Sequence, residues 1–224
     1  MVTVSEQRSG ESKCFVEEGK LFVTAADETP ELLLSQSELP LPGRGNLINA
    51  LAAASVARLF EVSARDIAAA LRSFKGLEHR LEFVGEHRGI RFYNDSLSTI
   101  PEAAINALDA LGSEVETLII GGNDRGVEYE LLAQALLASE VQVLILFPTT
   151  GRKVWEILGA QAPAGRQLPR SFEAASMEEA VRIAYRETSP GKICLLSPAA
   201  SSFGLFRDYR ERGEMFKECV RRFC

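Results

Sequence analysis

Thr117-Leu-Ile-Ile120-Gly121-Gly122-Asn123-Asp124-Arg125-Gly126 joins a short apolar run to a glycine-rich polar loop. Two other stretches repeat the design. Ile90-Arg-Phe-Tyr93 runs into Asn94-Asp95-Ser96-Leu97-Ser98-Thr99, and Ile193-Cys-Leu-Leu196 runs into Ser197-Pro198-Ala199-Ala200-Ser201-Ser202. Short apolar runs bounded by turn residues suit strands buried on both faces. Segments of helical period lie between them, over residues 129–138 and 152–158 and after the cap Ser176-Met-Glu-Glu179. The alternation predicts an α/β fold, a mostly parallel sheet with helices on both faces. Ligands bind such sheets beyond the carboxyl ends of the strands, which makes the three polar loops the candidate site.

Working outward, residues 141–147 predict a further strand and residues 213–223 a closing helix. Residues 161–171, with Pro163, Gly165 and Pro169, read as surface loop. Residues 81–84 and 90–93 flank the turn His87-Arg88-Gly89. Nearer the amino terminus the rhythm is different. Residues 13–17 and 20–24 around Glu18-Gly19 predict a hairpin, and Leu32-Leu33-Leu34 another strand. Gly43-Arg44-Gly45-Asn46 leads into Leu47, Ile48, Leu51, Ala52, Ala53 and Val56, a packed helix with Asn46 near its N-cap. Ser63-Ala-Arg-Asp66 resembles a capping box for a second helix, whose apolar face is Ile67, Ala70, Leu71 and Phe74 and which Gly76 stops. The change of rhythm places two domains at 1–78 and 79–224.

The 224 residues carry 25 Lys and Arg against 31 Asp and Glu, a formal charge of −6. That is the wrong sign for a sequence-indifferent nucleic-acid binder. No apolar run is long enough to cross a bilayer, and the first residues lack the apolar stretch of a signal peptide, so a cytoplasmic address is expected. Four cysteines without a C-x-x-C spacing and two histidines predict free thiols and no metal centre. Neither G-x-x-x-x-G-K-[ST] nor G-x-G-x-x-G occurs, which leaves a self-contained nucleoside triphosphatase or dinucleotide enzyme unsupported.

Backbone N–H groups, hydroxyls and a guanidinium converging on one sheet edge suit a carboxylate or phosphate ligand. The same residue types also build turns and caps. Asp95 could cap a helix begun by Pro101 or accept from a ribose hydroxyl. Arg125 could be a solvated charge or a carboxylate ligand. His79 and Arg80 could cap the junction between domains. Arg207, Arg210 and Arg212, balanced by Asp208, Glu211 and Glu214, read as a solvated helix face.

The order of motifs is recognisable: Gly43-Arg-Gly-Asn46-Leu-Ile-Asn49-Ala, Gly76-Leu-Glu-His79-Arg80-Leu-Glu82, Asn94-Asp95-Ser96, Gly121-Gly122-Asn-Asp-Arg125-Gly126, and Leu196-Ser197-Pro198 through Ser202-Phe203 to Glu211-Arg212-Gly213. From residue 43 to residue 216 the chain resembles the Mur ligases, in the branch that joins glutamate to UDP-N-acetylmuramoyl-L-alanine. The resemblance implies a Rossmann-like C-terminal domain over 79–224, preceded by the incomplete end of a central ATP-binding domain. It implies an ATP- and Mg²⁺-dependent ligase of peptidoglycan synthesis that works through an acyl phosphate. By position, Asn46 and Asn49 would contact adenine, Arg80 and Asp95 the ribose side of the nucleotide, and Thr99, Arg125, Ser202 and Tyr209 the incoming glutamate. The partners implied are UDP-N-acetylmuramoyl-L-alanine, glutamate and ATP, met by a monomer.

Gly45 stands where the family usually has His, Leu97 and Arg125 where it has Lys, and Ile100 where it has Asn. With these departures the pattern looks more like the variant ligases that add L-glutamate, with Arg125 making up for the lysine missing at Leu97. The phosphate loop and Mg²⁺ ligands are expected upstream, in a longer protein of which this chain is the C-terminal part, and the chain alone is expected to be inactive. The other readings are a related Mur or folylpolyglutamate-type ligase, a non-catalytic glutamate-binding module, and a structural fragment without binding.

Overall fold

The Glu18-Gly19 pair has both residues at positive φ, 49° and 70°, the backbone a two-residue turn needs to match the twist of its strands. It joins β2 (Ser12–Glu17) to β3 (Lys20–Thr24) in antiparallel register, with Glu17 opposite Lys20. β1 (Thr3–Ser5) pairs parallel to β2, and β4 (Pro30–Ser35) pairs antiparallel to β3. The computed structural model describes residues 3–5, 12–24 and 29–224, which form two compact units, Met1–Gly76 and Leu77–Cys224.

In the first unit α1 (Arg44–Leu59) and α2 (Ala64–Ser73) complete the core: Leu47, Leu51 and Ala54 of α1 and Ile67 and Ala68 of α2 bury against Cys14, Leu21, Val23, Leu33 and Leu34. Helix α1 starts before Asn46, because Gly43 at φ 94° turns the chain sharply and leaves Asn46 inside the first turn, its amide donating to the Pro42 carbonyl at 2.8 Å. Ile48 and Val56, expected in the packed face, are exposed. Ser63 caps α2 as expected, accepting from the Asp66 N–H at 3.1 Å. The buried face of α2 is narrower than its sequence suggested, since Ala70 and Phe74 face outward and Ala68 inward.

The second unit opens with a hairpin, β5 (Glu82–His87) and β6 (Ile90–Asn94). Helix α3 (Pro101–Leu111) follows, and then four βα units: β7 (Val115–Gly121) and α4 (Glu130–Ala138), β8 (Val143–Phe147) and α5 (Thr150–Gln161), β9 (Arg170–Glu173) and α6 (Met177–Glu187), β10 (Ile193–Leu196) and α7 (Tyr209–Arg222). Among the described residues this sheet has six strands, in the order β5-β6-β10-β7-β8-β9, all parallel except β5. Strands β7, β8 and β10 are buried along their whole length, as strands covered on both faces must be.

Alternate residues of the strands point to two separate cores. Phe92, Ile119, Ile145 and Cys194 pack under α6 and α7; Leu118, Ile120, Leu144 and Leu195 pack under α3, α4 and α5. Strand β9 lies where a loop was expected: its only apolar residue is Phe172, and as an edge strand it needs little more. Helix α7 begins four residues before Gly213, because Asp208 caps it by accepting from the Glu211 N–H at 2.9 Å.

Candidate functional site

β10 lies between β6 and β7, and the chain leaving it reaches α7 on one face while those leaving β6 and β7 reach α3 and α4 on the other. A crevice therefore opens at the carboxyl ends of these three strands. All three predicted loops meet there.

Asp95 is at the centre, with no exposed surface. Ser197 donates to its Oδ2 at 2.7 Å and Ser98 donates to the same oxygen. Its Oδ1 accepts from the Leu81 N–H at 3.2 Å, and the Arg80 guanidinium lies 3.7 Å away while donating to Ser98 Oγ at 2.9 Å. Burial pushes the Asp95 carboxyl up from its ordinary value, and these donors pull against it. Asp95 does not cap the helix at Pro101. Ile100 occupies that N-cap position without a side-chain bond, and the carboxylate is held by hydroxyls from two different loops instead.

Main-chain bonds fasten the loops. Asp95 N–H donates to the Leu196 carbonyl at 2.8 Å, Gly121 N–H to Pro198 at 2.9 Å, and Asn123 N–H to Ser201 at 2.9 Å. The last of these forms an isolated bridge beside Ser202. Gly122, at φ 153°, is required here: a Cβ would collide with the Ser201 carbonyl oxygen. Three residues without that freedom also sit in the left-handed region, namely His79 and Leu81 on either side of Arg80, and Ala199 in the loop after β10. Strained backbone gathered at one crevice is a mark of a functional site.

Helix α7 closes one side. Arg212, expected on a solvated face, is completely buried. Its Nε donates to Ser96 Oγ at 2.9 Å, its Nη2 to the Ser96 carbonyl at 2.8 Å and its Nη1 to the Ala200 carbonyl at 3.1 Å. Ser96 Oγ in turn donates to the Tyr209 carbonyl at 2.8 Å. Gly213 allows this approach, because a Cβ there would collide with the His79 ring and crowd the Asn94 amide. Deeper on α7, Lys217 donates to Glu82 Oε1 at 3.1 Å and lies 2.7 Å from Glu214 Oε1. Glu82 also accepts from the His79 N–H at 2.9 Å and the Asn94 amide at 3.0 Å.

Of the predicted residues, Arg80 and Asp95 thus share Ser98, and the Tyr209 carbonyl accepts from Ser96 in the same loop. Ser202 is buried beside the bridge, Thr99 is half-buried after Ser98, and Arg125 is exposed beyond Gly121-Gly122. Asn46 and Asn49 lie on α1 of the first unit. Ser96, Ser98, Ser197, Arg212 and Gly213 went unassigned in the sequence. The signals for the last two were their place in the motif Glu211-Arg212-Gly213 and a glycine inside a helical pattern, which marks close packing.

Fold and site together define an α/β domain of the doubly wound kind with a polar crevice at the carboxyl ends of its strands. A family model described as "Mur ligase, glutamate ligase domain" matches residues 79–200. The chain is 39% identical over 210 residues to the UDP-N-acetylmuramoylalanine–D-glutamate ligase of Thermoanaerobacter sp., covering 94% of this chain and 45% of that one. It is 40% identical over 207 residues to the enzyme of the same name from Acidobacterium capsulatum, covering 92% and 43%. The chain belongs to the Mur ligase family, and spans a little under half the length of these relatives. Among solved structures, the UDP-N-acetylmuramate–alanine ligase of Thermotoga maritima shares the fold with a TM-score of 0.65 at 16% identity, over 96% of this chain and 47% of that one. The Mycobacterium tuberculosis folylpolyglutamate synthase complexed with ADP shares it with a TM-score of 0.58 at 17% identity, over 85% and 46%.

Proposed function

We propose that the chain supplies the amino-acid-binding part, and one side of the nucleotide site, of a cytoplasmic, monomeric ATP-dependent ligase that joins glutamate to UDP-N-acetylmuramoyl-L-alanine in peptidoglycan synthesis. The observation that carries this reading is a single polar crevice, built from three loops, in a chain 39% identical to ligases named for that reaction. In it, residues 1–78 belong to the end of the ATP-binding domain and residues 79–224 form the glutamate-binding domain. Thr99, Arg125, Ser202 and Tyr209 hold glutamate, with the exposed Arg125 guanidinium taking a carboxylate. Asn46 and Asn49 face adenine.

The residues on the ribose side fit a nucleotide unequally. Arg80 is partly exposed and keeps donors beyond the one it gives Ser98, so it can also meet a ligand; Asp95, buried and fully bonded, acts by holding Arg80 and the two serine loops. ATP, when bound, would supply the phosphoryl group that activates the substrate's carboxylate, with ADP as the leaving group, and Mg²⁺ accompanies it. No cluster of the described residues suits Mg²⁺: Glu78, His79 and Glu214 lie together, but a histidine and the Lys217 ammonium spoil an all-oxygen shell. This part of the protein binds and orients the amine and shields it from water.

The relatives' names weigh toward D-glutamate. Leu97 and Arg125, which depart from the family pattern, carry the second reading, L-glutamate. Equilibrium dialysis of the 224-residue chain with labelled D- and L-glutamate tests both. Saturable binding of one isomer is expected, and binding of neither would overturn the reading. With UDP-N-acetylmuramoyl-L-alanine, ATP and Mg²⁺ added, the chain is expected to release no phosphate, because its sequence has no phosphate loop.

A further inference from the structure

Arg212 is the largest of the fully buried side chains. A cation without a carboxylate in contact is expensive to bury. Its acceptors are Ser96, through hydroxyl and carbonyl, and the Ala200 carbonyl. Ser96 belongs to the loop after β6 and Ala200 to the loop after β10; the Asp95 N–H and the Ser197 hydroxyl join these loops where they leave the strands, and Arg212 adds a tie further out, at Ser96 and Ala200. The planar fork of a guanidinium fits this task, since it presents several donors in fixed directions where an ammonium presents a point charge. Ser96 also donates to the Tyr209 carbonyl, so the start of α7 is set by the same contact.

We infer that Arg212 is a positioning residue: it locks the loop carrying Asp95 and Thr99 to the loop carrying Ser202, so that the ribose-side and amino-acid-side contacts form as one unit. The inference rests on the proposed function for the identity of the ligands, and on the hydrogen bonds for the coupling of the loops. Arg212 touches no substrate in this scheme. Its removal therefore disorders two distant segments together, and weakens glutamate binding through both.

The test is amide hydrogen exchange on the 224-residue chain, read over residues 95–99 and 199–202, with a glutamate titration alongside. Arg212→Met is expected to speed exchange in both segments by about tenfold or more, and to weaken glutamate binding by a similar factor. Arg212→Lys keeps the charge but loses the fork, and is expected to fall within about threefold of the Met variant. Phe216→Leu, a core change on the same helix, serves as the control for general loosening. It is expected to lower the melting temperature while leaving the two segments close to wild type. The inference is overturned if only one segment responds, if Arg212→Lys behaves as wild type, or if Phe216→Leu opens both segments equally. Absence of glutamate binding in the wild-type chain would sink the functional reading, while the exchange results would still decide the coupling.

Discussion

Helix α7 buries two cations little more than one turn apart, and they keep opposite company. Lys217 lies between Glu82 and Glu214. Arg212 lies among carbonyls and hydroxyls, with no carboxylate in contact. Burial acts to lower the Lys217 ammonium, but the two carboxylates outweigh it and hold the group above its usual range. Burial pulls Arg212 down to about 9, and the charge on Asp95 offsets only part of that. Carboxylates thus compensate the burial of Lys217, whereas neutral acceptors alone compensate that of Arg212.

The comparison assumes that α7 holds both cations at a fixed depth, and Gly213 sets that depth. Gly213→Ala drives a Cβ into the His79 ring. The expected loss is about 3 kcal/mol, at the upper end of overpacking penalties, because Asn94 on the other side blocks relaxation. Urea denaturation measures it, and a loss under about 1 kcal/mol would show that α7 can shift, so that neither cation is held as described.

Next in size is Lys217→Met. It leaves Glu82 and Glu214 facing each other without their cation, at an expected cost of about 2 kcal/mol, reduced from the fully buried case because both carboxylates keep some exposure. The same pair gives a pH signature. Burial acts to raise the Glu82 carboxyl, yet the His79 N–H, Lys217 and the Asn94 amide together leave it below its usual range. A depressed carboxylate stabilises the fold above its unfolded value of about 4.3 and loses that contribution as pH falls through the folded value. Lys217, being raised, contributes below its unfolded value of about 10.4 and loses that as pH rises through the folded one. Lys217→Met should move the acid limb of the stability curve to higher pH. An unmoved acid limb would mean that Glu82 is held by His79 and Asn94 alone.

The two cations also show what the sequence could reveal. The sheet was legible because β8 and β10 are unbroken apolar runs and β7 closes on one, and the site because β6, β7 and β10 lead into asparagine, glycine and serine respectively. Strand β9 was not, since an edge strand of which one residue is apolar carries little pattern. Arg207, Arg210 and Arg212 look alike in a row of balanced charges. Only packing separates the last from its neighbours, and a charge count carries no information about depth. Asp95 was placed at the right loop, but its full enclosure by Ser98, Ser197 and Leu81 depends on β10 inserting between β6 and β7, a pairing of segments about a hundred positions apart.

The smallest expected effect is the one that separates the two cations most sharply. Arg212→Met removes three hydrogen bonds from a charged donor, each of which contributes about 1.5–3 kcal/mol, and leaves the Ser96 and Ala200 carbonyls without that partner. It also removes a buried charge whose desolvation works against folding, and methionine refills much of the space of the arginine stem. The terms oppose each other, so global stability should change by no more than about 1 kcal/mol, half or less of the Lys217→Met effect. Urea denaturation of the two variants side by side makes the comparison. A loss of about 2 kcal/mol or more for Arg212→Met would make Arg212 as structural as Lys217 and erase the contrast between the two cations.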